Sequence, residues 1–183
     1  SYRMLGNAYL QATPMKGLTL KTVFQPTYSQ WRLGQFDDTI VDNENSTARY
    51  STTQVFGWVW DNIVTYDRTF NENHRVNVMG LMSMESHQKE SADLYYQNVM
   101  AGTYWWNLAT GTYMPDDSKN GYEEESMMSY ALRANYTYAG KYMLTATVRW
   151  DGSSKFAPGY RWGSFPSAAV AWRVSEEDFL KGY

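Results

Sequence analysis

The two histidines, His74 and His87, are the only imidazoles in a chain of 183 residues that contains no cysteine. Thiolate nucleophiles, disulfide frameworks and cysteine-based zinc or iron–sulfur sites are thereby excluded. No G-x-S-x-G elbow is present, and the two histidines fall at a turn edge and at the outer end of a strand, so nucleophilic catalysis and histidine metal ligation find no support. The acidic groups Asp37-Asp38, Asp116-Asp117 and Glu123-Glu124-Glu125 sit in or beside long loops, where solvated surface is the plain reading. Oxygen ligands are dense enough from Asp37 to Asn45 to raise calcium in that loop, yet the EF-hand order and its glycine are missing. No other cofactor is expected.

A second chemistry is suggested by Tyr104-Trp105-Trp106-Asn107, with Tyr95, Tyr96 and Tyr113 nearby. Flat aromatic faces beside amides suit the apolar faces and hydroxyls of sugar rings, which makes these four residues the candidate ligand-binding segment. The competing reading, which we favour, is that the rings pack a long loop onto its neighbours.

These residues need a scaffold, and alternation identifies it. In Tyr142 to Trp150, Tyr142, Leu144, Ala146, Val148 and Trp150 share one face, with Met143, Thr145, Thr147 and Arg149 on the other. Such a period of two predicts a strand with one apolar and one polar face. Met128 to Tyr138 repeats the pattern, and Ala139, Gly140 and Lys141 join the two windows as a tight hairpin. Further strands are expected near Arg3 to Ala12, from Leu18 to about Leu33, and around Val55 to Tyr66, Arg75 to Glu85 and Pro166 to Val174. That gives about seven strands, mostly antiparallel neighbours, and no long helix. Lys21, Asp61, Arg133 and Arg149 all oppose apolar faces.

The connections alternate between short and long. Pro14 to Gly17, Asn71 to Asn73 and Ala139 to Lys141 are short turns, whereas Gln35 to Tyr50, Glu90 to Glu124 and Asp151 to Ser164 are long loops. Outer-membrane barrels are built this way, with short periplasmic turns and longer extracellular loops. Composition agrees: 43% of residues are hydrophobic and 17% aromatic, with 16 tyrosines and 8 tryptophans, but no apolar run approaches the ~20 residues of a spanning helix. Tyr66, Tyr138, Tyr142 and Trp172 lie near the short-turn ends on the apolar faces and Trp150 at the opposite end of its strand, which are positions of an aromatic girdle. With 16 basic and 19 acidic residues, no electrostatic footprint for nucleic acid exists.

Three pieces of the C-terminal third, L-T-A-T-V-R-W-D-G-S-S-K-F at Leu144 to Phe156, R-W-G-S-F-P-S at Arg161 to Ser167 and A-W-R-V-S-E-E at Ala171 to Glu177, carry a specific signal by their order and spacing. Together they closely resemble the barrel of SusC/RagA-type TonB-dependent outer-membrane transporters. Leu5-Gly6-Asn7-Ala8-Tyr9 with Gly17-Leu18-Thr19-Leu20, and Trp58 to Tyr66 with His74 to Met84, resemble earlier hairpins of the same barrel.

The resemblance implies an all-β fold, an antiparallel transmembrane β-barrel segment of a roughly 22-stranded barrel. It also implies import of oligosaccharides or peptides across a Bacteroidetes-type outer membrane, without bond chemistry. The implied partners are a SusD-like surface lipoprotein and the TonB complex, the latter through a plug domain. Residues 1–183 resemble neither the family's signal peptide nor its plug, so they are expected to be a partial barrel of a longer chain. Lys21, Asp61, Arg133 and Arg149 are then expected to face the lumen, because a charge near the lipid midplane would cost ~2 to 4 kcal/mol. The alternative is a secreted all-β carbohydrate-binding or adhesion module.

Overall fold

Alternating residues cannot satisfy their backbone groups within one strand, so each apolar–polar stretch must pair with a neighbour. In the computed structural model, which describes residues 1–38, 45–177 and 179, they do so as one antiparallel sheet. Its strands are β1 (Tyr2–Leu5), β2 (Ala8–Met15), β3 (Leu18–Asp37), β4 (Thr47–Phe70), β5 (His74–Gln97), β6 (Thr112–Tyr113), β7 (Lys119–Tyr138), β8 (Tyr142–Ser153) and β9 (Trp162–Trp172). The order is β1-β3-β4-β5-β7-β8-β9, with β2 also paired to β3 and β6 to β5. Among the described residues there is no α-helix, only short 3-10 turns.

The nine strands are the expected seven with two refinements. The first breaks at Gly6 and Asn7 into β1 and β2, which pair with different parts of β3, and two residues of the longest loop form β6. A larger difference is length. β4 and β5 have 24 residues each, and of the expected loops residues 35–37, 47–50, 90–97, 119–124, 151–153 and 162–164 belong to strands. Alternation underestimates strands wherever both faces meet polar surroundings, because ladder hydrogen bonds do not require it.

The chain divides into two compact units, one of residues 1–6, 26–57 and 87–124 and one of 7–25, 58–86 and 125–183. In the second unit, register fixes the faces. Tyr138, Tyr142 and Trp172 stand side by side, as do Leu132, Val148 and Pro166, and Ala134, Ala146 and Ala168. The intervening positions carry Arg133, Thr147 and Ser167, and Asn135, Thr145 and Ala169. One face of this unit is therefore apolar and fully presented outward: Leu144 is 47% and Val170 83% exposed. Core is nearly absent; among the described residues the buried hydrophobics are Val23, Ala48 and Val99.

Pro166 departs from expectation, since it lies inside β9 opposite Val148 rather than at the strand's first position. Ser153 N–H donates to Arg161 O at 3.1 Å, so hydrogen-bonded pairs fall at odd residues of β8, and Pro166 sits in a non-bonded pair whose nitrogen points away from β8. The missing N–H removes nothing from the β8–β9 ladder. The turn Lys16-Gly17 needs its glycine: Gly17 has φ +89°, and an added Cβ would lie 2.4 Å from Asp67 O.

Candidate functional site

The polar face of the second unit is wired across its strands. Arg75 grips Asp67 with two hydrogen bonds, Nε to Oδ1 at 3.2 Å and Nη2 to Oδ2 at 3.0 Å, and Asn77 donates to the same carboxylate at 2.9 Å. Asn135 donates to Asn77 at 3.3 Å and Thr145 to Asn135 at 2.9 Å, carrying the network from β4 to β8. Asp61 accepts from Ser83 at 2.6 Å, and Arg149 reaches both oxygens of Asp151 at 2.8 Å and Ser129 at 3.4 Å. Lys21 lies over the Tyr9 ring at 5.0 Å. Arg133 pairs in register with Thr147. Lys21, Asp61, Arg133 and Arg149 thus all occupy alternates opposite the apolar residues, in a face rich in paired amides, hydroxyls and charges.

The apolar face of the same unit has aromatic rows at two levels. Tyr138, Tyr142 and Trp172 stack along successive strands with centroids 6.3 Å apart, and His74 adds a ring 4.9 Å from Tyr138. At the other end Tyr130 and Trp150 pair in register, and Tyr130 stacks on Trp162 at 6.0 Å. Tyr142 and Trp150 are separated by about 26 Å of strand, which at a 35–45° tilt rises about 20 Å. Polar groups on this face bond to one another: Trp60 Nε1 donates to Thr22 at 2.8 Å, and Thr22 donates to Asn62 at 2.9 Å.

In the first unit the loop aromatics form a small cluster of their own. Trp105 stacks on Tyr50 at 5.8 Å and 11°, and meets Trp106 edge-on at 5.8 Å; Tyr104 meets Phe36 at 5.7 Å. An added Cβ at Gly34 would lie 2.1 Å from the Trp105 ring, so that glycine is what lets the indole lie on β3. Trp105 is half-buried, whereas Trp106 is 65% exposed beside Asn107 along a recess of about 440 Å³. The segment therefore divides its work: Trp105 fastens the loop and Trp106 is presented. The acidic stretch singled out for calcium lies mostly outside the described residues, at 39–44. Among the described residues no cluster of three or more acidic or imidazole side chains could hold a metal.

Sequence reading did not single out a polar recess of the same unit, where Gln35, Arg49, Gln97 and Asp117 meet beside Tyr95. Its residues are scattered over three strands and a loop turn, and no spacing along the chain marks them.

Comparison with known proteins gives a consistent picture. No family model matches the chain. TonB-dependent receptor P39 of Formosa agariphila is 30% identical over 176 residues, covering 94% of this chain and 17% of that protein. TonB-dependent receptor P26 of the same organism is 28% identical, over 97% of this chain and 18% of its own length. A shorter and stronger match, 50% over 56 residues, joins 31% of the chain to 6% of TonB-dependent receptor SusC of Bacteroides thetaiotaomicron. Among solved structures, the RagAB peptide transporter superposes with a TM-score of 0.87 over 98% of this chain and 20% of that one, at 18% identity, which speaks to the fold. The chain thus spans less than a fifth of each of the curated relatives it matches.

Proposed function

We propose that the chain, similar along nearly its whole length to TonB-dependent receptors, over its 56-residue match to SusC and in fold to the RagAB transporter, belongs to the SusC/RagA-type receptors and forms part of the wall of an outer-membrane importer of oligosaccharides. Peptides are the alternative cargo. The observation that carries this reading is the two-faced sheet of the second unit: an apolar face bounded by aromatic rows, backed by a face of paired charges and amides. The first face suits lipid, where unpaired polar groups are costly, and the second suits a water-filled lumen. Arg75, Asp67, Arg149 and Asp151 then line the conduit, each arginine held by its aspartate.

On this reading the residues bind and guide cargo and make or break no covalent bond. The longer protein would receive cargo beneath a SusD-like surface lipoprotein and draw energy from the TonB complex through a plug domain. Calcium at Asp37 to Asn45 stays a secondary proposal. Membrane fractionation of cells producing the full-length protein tests the assignment: it should partition with the outer membrane and resist extraction by high salt. Recovery from the soluble periplasm would refute it.

A further inference from the structure

We propose that the recess between Trp58 and Trp162, on the apolar face of the second unit, seats an acyl chain of a phosphorylated glycolipid of the outer leaflet, with Arg161 holding its phosphate. The inference rests on the outer-membrane reading above and adds a lipid partner to it. Trp58 on β4, Met84 on β5, Met128 on β7 and Trp162 on β9 border a space of about 390 Å³, and all belong to that one unit.

Alternation turns these four side chains outward. Trp58 and Met84 are alternates of the apolar faces of their strands, and Met128 pairs in register with Gly152 and Gly152 with Trp162, in line with the apolar rows below. The recess stands at the aromatic row farther from the short turns, since Trp162 stacks on Tyr130 at 6.0 Å and Trp58 meets Phe24 at 6.1 Å. In a barrel with short periplasmic turns, that row lies in the outer headgroup layer, the leaflet in which an outer membrane keeps its phosphorylated glycolipids.

Particular residues build the shape. An added Cβ at Gly152 would lie 2.8 Å from the Trp162 ring, so the glycine lets that indole lie down on the sheet as one wall. Met84 and Met128, both half-buried, give a floor of flexible thioethers that adapts to a chain of methylenes. Beyond the floor the lining turns polar, with Ser126, Ser154 and Arg161. The turn that carries the last two is pinned: Ser154 N–H donates to Ser126 O and Ser126 N–H to Ser154 Oγ, both at 2.9 Å, and Ser153 N–H donates to Arg161 O at 3.1 Å. Arg161 is exposed and donates from Nε to Phe156 O at 3.2 Å, while among the described residues no hydrogen bond or ion pair takes its Nη groups.

Two observations select the occupant. The passage from thioethers and indoles to hydroxyls and a guanidinium follows one lipid molecule from chain to headgroup, and a guanidinium fork matches phosphate oxygens as basic headgroup pockets do. A phosphomonoester, with about two charges and three accepting oxygens, exploits that fork better than the phosphodiester of a phospholipid. Among the described residues the carboxylate bordering the recess is Glu85, an alternate of the opposite face with Asn77 and Ser83, so the rim offers phosphate a cation and offers an ammonium no partner.

The test is native mass spectrometry of the full-length protein in detergent, titrated with lipid A bearing phosphate, its dephosphorylated form, phosphatidylglycerol and phosphatidylethanolamine. Phosphorylated lipid A should bind about tenfold or more tighter than the other three, the scale of one hydrogen bond between charged groups. Arg161→Ala should erase that preference, and Met128→Trp, which fills the floor, should weaken every lipid. Val170→Trp, on the same face but away from the recess, should change nothing. Heat-modifiable migration confirms that each variant barrel is assembled. Equal affinity for the four lipids, unchanged binding in assembled Arg161→Ala or Met128→Trp, an equal loss in Val170→Trp, or a co-purified polypeptide in place of lipid would overturn the site. None of those results touches outer-membrane location, whose own failure in fractionation would overturn the reading beneath it.

Discussion

Glu177 closes three hydrogen bonds beyond the last strand, accepting from Tyr142 Oη at 2.7 Å, Lys141 Nζ at 3.0 Å and Trp172 Nε1 at 3.1 Å. It thereby clasps the start of β8 and the end of β9. Chiefly the Tyr142 hydroxyl, then Lys141 and Trp172, hold its carboxyl down to about 2, well below the usual range for glutamate. Because the folded value is the lower one, the clasp contributes fully above the unfolded value of roughly 4.3 and is lost as pH falls from there toward 2. Amide exchange around Lys141 and Trp172 should therefore be faster at pH 3 than at pH 6, after correction for intrinsic rates, and Glu177→Gln should abolish that difference. An unchanged pH dependence in the variant would show that Glu177 is not the titrating clasp. A 3-10 turn forms at Val174–Glu176, just before Glu177, without a side-chain cap. The role of Glu177 is not legible in the sequence, because its partners Tyr142 and Lys141 lie far back along the chain.

The strands show where alternation informs and where it fails. Tyr142 to Trp150 announces β8 because each neighbour meets a different medium, and the hairpin at Ala139 to Lys141 follows from Gly140 and from Ala139, which takes a left-handed φ of 52°. Along β4 the pattern from Val55 to Tyr66 is equally plain, but Thr47 to Tyr50 reads as loop although it continues the same ladder. There and in the next residues hydroxyls, amides and charges occupy both faces, as with Ser51 bonded to Asp93 and Tyr28 to Gln54, so nothing in residue type distinguishes strand from loop. Strands of 24 residues exceed the ~9 to 11 needed to cross lipid, and the excess is the part that sequence pattern cannot mark. The faces themselves permit a sharp comparison on β9, where the exposed neighbours Ala168 and Ala169 point opposite ways. Ala168→Arg places a charge in the all-alanine row of the apolar face and should destabilise the assembled protein by ~2 to 4 kcal/mol, while Ala169→Arg should be nearly neutral. Urea titration of the full-length protein in lipid vesicles measures both. Equal effects would mean that the apolar face does not meet lipid.

A sheet with this little interior cannot be stable alone in water. Val23, Ala48 and Val99 are the buried hydrophobics among the described residues, whereas Leu10, Leu144, Val170 and Trp172 stand open. Exposed apolar area of this extent marks an interaction surface or an aggregation liability. Among the described residues both margins of the sheet, β1 with β2 at one side and β9 at the other, also end in unpaired backbone, which a membrane tolerates only in a closed barrel. At Pro166 the open margin of β9 lacks one donor, so a strand continuing the wall there would pair with one hydrogen bond fewer. Residues 1–183 produced by themselves should therefore aggregate in detergent-free buffer and become dispersed only in detergent, as size-exclusion chromatography with light scattering would measure. The rival reading, a secreted carbohydrate-binding module, requires the opposite: a monodisperse soluble monomer whose glycan affinity falls on Trp106→Ala. The presented Trp106 ring makes that a fair contest, but the module would also have to explain why a water-soluble protein turns a continuous leucine, valine and alanine face outward between two aromatic rows. Lipid on that face explains it without further assumption.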